Sequence, residues 1–374
     1  MSEGLYIHVP LCISKCTYCD FYKVTQKQWV GDDIFLEALK SELTSLPHAF
    51  KPKTIFIGGG TPTALSPMSM KKLLHSIAEH VDLSAVSEFT SEANPRSLSD
   101  EMCEALRVGG VNRLSLGVQS FQSAALHLLG RNHSSQVAEE AYYRAREAGF
   151  SSINLDLIQS IPGLTPQHRK REIDHLLELM PDHVSIYNLI YEKGTPLYKK
   201  KIEGQLQDLT DDEEADTFEY VKASMVKAGY EHYEISNFTK PGHACAHNIN
   251  YWKGGDYLGC GPSAHSHWQG ERYANVHDLE RYCTRLKEGV SIKSFSERLA
   301  DKAKARETFV MWLRLTEGVH VEEFEEETGY DVCKLYGHEL DNLVQQGLLE
   351  WVGTQLRIPI EHQFISDAIF SELV

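Results

Sequence analysis

No stretch of the 374 residues supplies the roughly 18 consecutive apolar side chains a membrane helix needs. Positive charge is also scarce: 37 Lys and Arg stand against 53 Asp and Glu, a net charge of −16. Such a chain has no general attraction for phosphate backbones or anionic lipid, so no nucleic-acid partner is expected. The opening residues MSEGLYIHVP carry no basic segment ahead of an apolar one. No secretory signal is expected there, and the expected location is cytoplasmic. There is no internal repeat and no low-complexity tract, which excludes solenoids and disordered tails. A disulfide framework is not expected either. Of the eight cysteines, Cys12, Cys16 and Cys19 crowd into eight residues, while Cys103, Cys245, Cys260, Cys283 and Cys333 are scattered. Clustered cysteines in a reducing compartment point to metal or redox chemistry.

What is present is an ordinary globular composition, 42% hydrophobic and 24% charged. The first half alternates short β-rich runs with amphipathic helical patterns. The runs are Leu5–Val9, Thr54–Ile57, Glu88–Ser91, Arg113–Leu116, Ile153–Ile158 and Val184–Leu189. The helical patterns include Asp33–Leu46, Met68–His80, Asp100–Val108, Ser135–Ala148 and Pro166–Leu179. Strand and helix in alternation argue for parallel βαβ units, and six of them argue for most of a barrel. The expected fold class is α/β: a partial parallel (β/α)6 TIM-like barrel with a small C-terminal winged-helix-like domain. The expected division is 1–235 for the barrel core, 236–299 for a linking region and 300–374 for the small domain. That last part holds 6 Lys and Arg against 15 Asp and Glu, so it is expected to contact protein rather than DNA.

The polar signals share one position. The cysteines follow the first strand, Gly58-Gly59-Gly60-Thr61-Pro62 the second, Glu92 the third and Gln119 the fourth; Asp156 and Tyr187 lie in the fifth and sixth. In parallel α/β barrels the C-terminal strand ends build the active site, so these groups are expected to meet on one rim.

The cysteine spacing is Cys12-x3-Cys16-x2-Cys19. Thiolates select zinc or iron–sulfur clusters. A structural zinc site closes with four ligands; here a fourth would have to come from Cys245, Cys260 or a histidine. A four-iron cluster held by three thiolates would instead keep one iron open.

That spacing, with Tyr6-Ile7-His8-Val9-Pro10-Leu11 before it and Asp20-Phe21 after it, resembles the HemN/HemW branch of the radical-SAM superfamily. The resemblance implies a radical-SAM barrel. It also implies a 4Fe-4S cluster on Cys12, Cys16 and Cys19, with S-adenosylmethionine at the open iron. It further implies cofactor-contacting roles for Tyr6, Gly59, Gly60, Thr61, Glu92, Gln119, Arg131 and Asp156, with Phe21 covering the adenine face. Ile158-Gln159-Ser160-Ile161-Pro162-Gly163 departs from the branch, which has tyrosine-glycine-leucine before the Pro-Gly. The branch contains an oxygen-independent coproporphyrinogen oxidase and a haem chaperone. The oxidase carries a fourth cysteine two positions after the third, where this chain has Phe21, so coproporphyrinogen oxidase activity is not expected. His247-Asn248-Ile249-Asn250-Tyr251-Trp252 matches the chaperone's HNxxYW pattern. His247 is the first candidate for haem binding, with His243, Cys245, His265 and His267 as alternatives. A structural hydrogen-bonding role for His247 competes with that reading. The implied partners are haem, a haem-acceptor protein and an electron donor, and peripheral contact with a membrane-bound acceptor stays open. Whether the chain turns over a substrate is left open, and no catalytic residue is assigned.

Overall fold

Strand β1, Gly4–Val9, shows why the chain folds as it does: Leu5, Ile7 and Val9 are fully buried under the surrounding helices, while the intervening Tyr6 and His8 face the other way. Side chains alternate across a strand, so one face supplies core and the other can carry chemistry. The computed structural model describes residues 3–374. Around β1 run β2 (Thr54–Gly59), β3 (Glu88–Ala93), β4 (Arg113–Gln119), β5 (Ser152–Gln159) and β6 (His183–Asn188), paired parallel in sequence order.

The helices between them start at the expected signals. Ser66 caps Pro67–His80 and Ser99 caps Asp100–Val108, each accepting from a backbone N–H three residues on. Their apolar faces, such as Met70, Leu73 and Ile77 or Met102 and Leu106, pack against the strands in one continuous core. Each such side chain removed from water contributes about 1.5–3 kcal/mol.

The sheet goes further than six units. A seventh strand, β7 (Tyr257–Cys260), pairs parallel to β1 on its far side, and His265–Trp268, Glu271–Asn275 and Lys293–Glu297 continue antiparallel from it. At the other edge Asn237–Thr239 pairs antiparallel to β6 and carries Glu231–Glu234 outside it. The twelve-stranded sheet therefore curls into an incomplete barrel, and the stretch read from the sequence as a link supplies five of its strands. Apolar–polar alternation over only four or five residues made these short strands hard to see.

After Asp301–Trp312, the C-terminal helices pack with a three-stranded sheet of Val319–His320, Glu350–Val352 and Gln355–Arg357. Its core, around Phe309, Trp312, Phe324 and Leu356, is separate from the barrel's. The helices and the hairpin across Gly353-Thr354 have the expected winged-helix character.

Candidate functional site

The C-terminal ends of β2–β6 surround a cavity of about 590 Å3. Cys12, Cys16 and Cys19 line one wall. Their loop is closed at its base by a short parallel ribbon, Leu11–Cys12 against Val24–Thr25. Thr17 pins its middle: its amide donates to the Leu129 carbonyl at 3.0 Å and its hydroxyl to the Leu128 carbonyl at 2.8 Å. Lys23 Nζ ties its end, donating to the Cys19 carbonyl at 2.7 Å. Thr61 Oγ1 donates weakly to Cys12 Sγ at 3.7 Å, and Arg131 Nη1 to Cys16 Sγ at 3.4 Å. Burial pushes the metal-free Cys12 thiol up to about 11, against the pull of the Thr61 hydroxyl.

Glycines 58–60 bring bare backbone to the cavity. A Cβ on Gly58 would lie 2.9 Å from the Glu92 carboxyl, and one on Gly60 2.7 Å from the Pro10 carbonyl carbon. Gly59 adds φ +105, and its Cβ would meet the His8 ring at 2.5 Å. Gln119 also has positive φ, +69, at the mouth of the cavity. Strain of this kind is held where the surroundings over-determine it.

Two carboxylates project into this space. Glu92 accepts from the Gly59 amide at 3.2 Å and has no ion-pair partner among the described residues. Burial, and then the Asp156 charge, push it up to about 8. Asp156 accepts from Ser115 Oγ at 2.9 Å and Asn154 Nδ2 at 2.8 Å, and burial raises it too. Arg131 donates to the Gly117 carbonyl at 2.5 Å, while its buried Nε has no hydrogen-bond partner. Two carboxylates, one of them with a single donor, and a cation lining the same cavity suit a ligand with hydroxyls, an ammonium or sulfonium centre, and a carboxylate of its own. S-adenosylmethionine has all of these. The donor set also fits a cluster. Among the described residues no three His, Cys, Asp or Glu side chains converge on a point that one metal ion could fill. Thiolates spread along a wall suit a polynuclear cluster, in which each takes a separate iron.

The structure thus brings Cys12, Cys16, Cys19, Phe21, Gly59, Gly60, Thr61, Glu92, Gln119, Arg131 and Asp156 to one cavity. Phe21 stands at its mouth, 72% exposed. Tyr6 is not on the wall; it lies beneath, donating to or accepting from His8 Nδ1 at 3.0 Å. Tyr187 and Asn188, at the end of β6, and Ile190 after it join the lining. Ser115 and Asn154 were missed by sequence reasoning; their inward register on β4 and β5, matching that of Asp156, was the available signal. In the departing segment Ser160 takes φ +59 and Ile158 lines the cavity.

His247 is not brought to this rim. It lies in the short helix Ala246–Trp252 against the first residues of β1 and β2, at the opposite end of the barrel. Its Nδ1 pairs with Thr54 Oγ1 at 2.8 Å and its Nε2 with Tyr251 Oη at 3.0 Å, and the ring stacks on Phe56. Burial holds it neutral, down to about 3. Both ring nitrogens are engaged by hydroxyls and the residue is 1% exposed, so in this arrangement neither is open to a haem iron. Glu88 fixes the same helix, accepting from the Ala246 and His247 amides at 2.8 and 3.0 Å.

Residues 6–176 match the model of the radical SAM superfamily, and residues 299–359 that of the HemN C-terminal domain. With a three-cysteine loop over a glycine-lined cavity on an incomplete parallel barrel, the chain is a radical-SAM protein. It is 40% identical over 350 residues to the heme chaperone HemW of Lactococcus lactis subsp. lactis, spanning 93% of this chain and 90% of that one. Identity to heme chaperone HemW of Bacillus subtilis is 37%, over 96% of each chain, and to that of Escherichia coli 35%, over 92% and 91%. The chain belongs to the HemW family. A solved structure of coproporphyrinogen III oxidase (HemN) from Escherichia coli, a radical SAM enzyme, matches 100% of this chain and 90% of its own with TM-score 0.85 and 22% identity, a likeness of fold. No helix among the described residues is long and apolar enough to cross a membrane.

Proposed function

We propose that the chain is a haem chaperone that binds a 4Fe-4S cluster, S-adenosylmethionine and haem, and passes the haem to an acceptor protein. The curated relatives that match over nine-tenths of its length are named heme chaperones. The observation that carries the cofactor part is the cavity lined by three cysteine thiols, bare glycine backbone and two carboxylates, of which Glu92 has a single donor. Cys12, Cys16 and Cys19 hold the cluster. When bound, the cluster supplies an open iron and an electron to the cofactor. The backbone of Gly59, Gly60 and Thr61 lines the methionine end, Arg131 offers its guanidinium to a carboxylate, and Asp156 and Glu92 accept from hydroxyl or ammonium groups. Gln119 stands between them, Phe21 covers the mouth, and Tyr6 supports the floor below. Residues 1–235, 236–299 and 300–374 serve as barrel, sheet extension and accessory domain. An electron donor docks outside this cavity, and the protein works in the cytoplasm.

A second reading is an oxygen-independent coproporphyrinogen oxidase-like enzyme, favoured by the common fold. Phe21 stands against it, occupying the position of the oxidase's additional cysteine. One anaerobic experiment separates the two. Reconstituted protein, reductant and S-adenosylmethionine are offered either haem or coproporphyrinogen. A chaperone binds haem saturably and leaves coproporphyrinogen intact. Oxidative decarboxylation of coproporphyrinogen would establish the enzyme instead.

A further inference from the structure

Below the cavity, the interior of the barrel holds a line of buried polar side chains that the cofactor contacts do not use. It begins at Asp156. Asn154 Nδ2 donates to Asp156 Oδ1 at 2.8 Å, and also to Ser115 Oγ at 2.8 Å, whose own proton goes to Asp156 Oδ2 at 2.9 Å. The other end of the amide, Asn154 Oδ1, meets His183 Nδ1 at 2.7 Å and accepts from Ser185 Oγ at 3.2 Å. His183 Nε2 meets Tyr233 Oη at 2.8 Å, and that oxygen accepts from the Cys245 amide at 3.3 Å. Asn154 and His183 are 1% and 0% exposed, so no water competes for these groups.

The protons in this line can be assigned from chemistry. A carboxylate that accepts from Asn154 turns the amide so that its oxygen faces His183. An amide oxygen cannot donate, so His183 Nδ1 carries the hydrogen. Burial keeps His183 neutral, far below its ordinary value, so Nε2 is bare and takes the Tyr233 proton. The Tyr233 oxygen in turn is oriented by the Cys245 N–H. Every donor therefore points toward Asp156. The line cannot conduct a proton, because an amide interrupts it. What it does is orient.

We propose that Asn154, His183 and Tyr233 are positioning residues that fix the Asp156 carboxylate so that its free lone pairs face the hydroxyls of a ligand in the cavity. This rests on the reading of that cavity as the S-adenosylmethionine site. The donors hold both oxygens from the barrel side, which removes rotation of the carboxylate as a cost of binding. They also give the amide and imidazole one orientation each, a chain that polarises cooperatively.

The test uses full-length, anaerobically reconstituted protein. Tyr233→Phe keeps the ring and removes the hydroxyl. Without it, His183 Nε2 has no donor, the Nδ1–H tautomer that holds Asn154 Oδ1 is no longer favoured, and the far end of the amide that grips Asp156 is released. We expect the Kd for S-adenosylmethionine to rise about 10-fold, the loss of roughly one charge-assisted hydrogen bond's orientation. The Kd for methionine, which has no ribose, should be unchanged. Nitrogen-15 shifts of His183, assigned with His183→Gln, should show an Nδ1–H imidazole in the parent and a mixture in Tyr233→Phe. Asn154→Asp, which places a second carboxylate beside the first, should weaken S-adenosylmethionine more than Tyr233→Phe does. Equal affinity of both variants and the parent for S-adenosylmethionine, or an equal loss for methionine, overturns the positioning role. Failure of the parent itself to bind S-adenosylmethionine overturns the reading of the cavity instead.

Discussion

The two ends of the barrel are built from the same kinds of side chain and do opposite things. At the C-terminal rim, Glu92 has a single hydrogen-bond donor, Arg131 Nε has no acceptor, and three thiols line a cavity. At the N-terminal floor, Glu88 takes two backbone amides and the Cys245 thiol, and His247 has a hydroxyl at each nitrogen. Satisfied polar groups hold a structure together; under-partnered ones in a cavity wait for a ligand. Between Glu92 and Glu88 the residue type is shared, and what differs is the count of partners, one against three.

The comparison can be broken at the rim first. Cys12→Ser, Cys16→Ser or Cys19→Ser should each abolish the cluster's visible absorbance after reconstitution. Undiminished iron content in all three would show that the thiols do not hold it. At the floor, His247→Ala leaves two hydroxyls without a partner and opens a hole beside Phe56. It should cost about 3 kcal/mol in denaturant unfolding, with the affinity of the cluster-free protein for haem unchanged. A haem affinity that collapses while stability holds would move His247 from support to binding.

Backbone approach at the rim is the next effect in size. Gly59→Ala forces a side chain onto φ +105 and against His8, so about 2 kcal/mol of stability should be lost along with cofactor binding. Glu92→Gln sharpens the comparison through pH. Glu92 rises from 4.5 to about 8 in the ligand-free fold, so the folded chain holds its proton more tightly than the unfolded one. The stability this gives is complete below pH 4.5 and is lost as pH rises through about 8. The melting temperature of the ligand-free protein should therefore fall between pH 6 and pH 9. Glu92→Gln should flatten part of that fall while weakening S-adenosylmethionine. A parallel fall in both would assign the dependence to other groups, such as buried Glu42, which burial lifts to about 7. The smallest change is Phe21→Ala. An exposed ring at the cavity mouth should shift unfolding by no more than about 0.5 kcal/mol, and its effect should appear in ligand binding alone.

Much of the rim was legible because each group lies in the C-terminal part of a strand or just after it, and parallel barrels gather strand ends. Cys12, Gly59, Glu92, Gln119 and Asp156 needed no more than that rule. The second layer was not legible. Asn154 lies inside an expected strand and His183 and Tyr233 outside all of them, and their value comes from partners 29 and 50 positions away in the chain. His247 was the opposite case. Its aromatic, histidine-rich surroundings suggested a ligand, and the fold supplied two hydroxyls, from Thr54 and Tyr251.

The sequence by itself determined the α/β alternation, the cysteine spacing and the residues that end each strand, because these depend on period and local order. Tertiary structure alone decided that Tyr257–Glu297 widens the sheet. It also decided which end of the barrel each histidine faces and which polar groups find partners. Those outcomes depend on contacts between residues far apart in the chain, and local pattern carries no record of them.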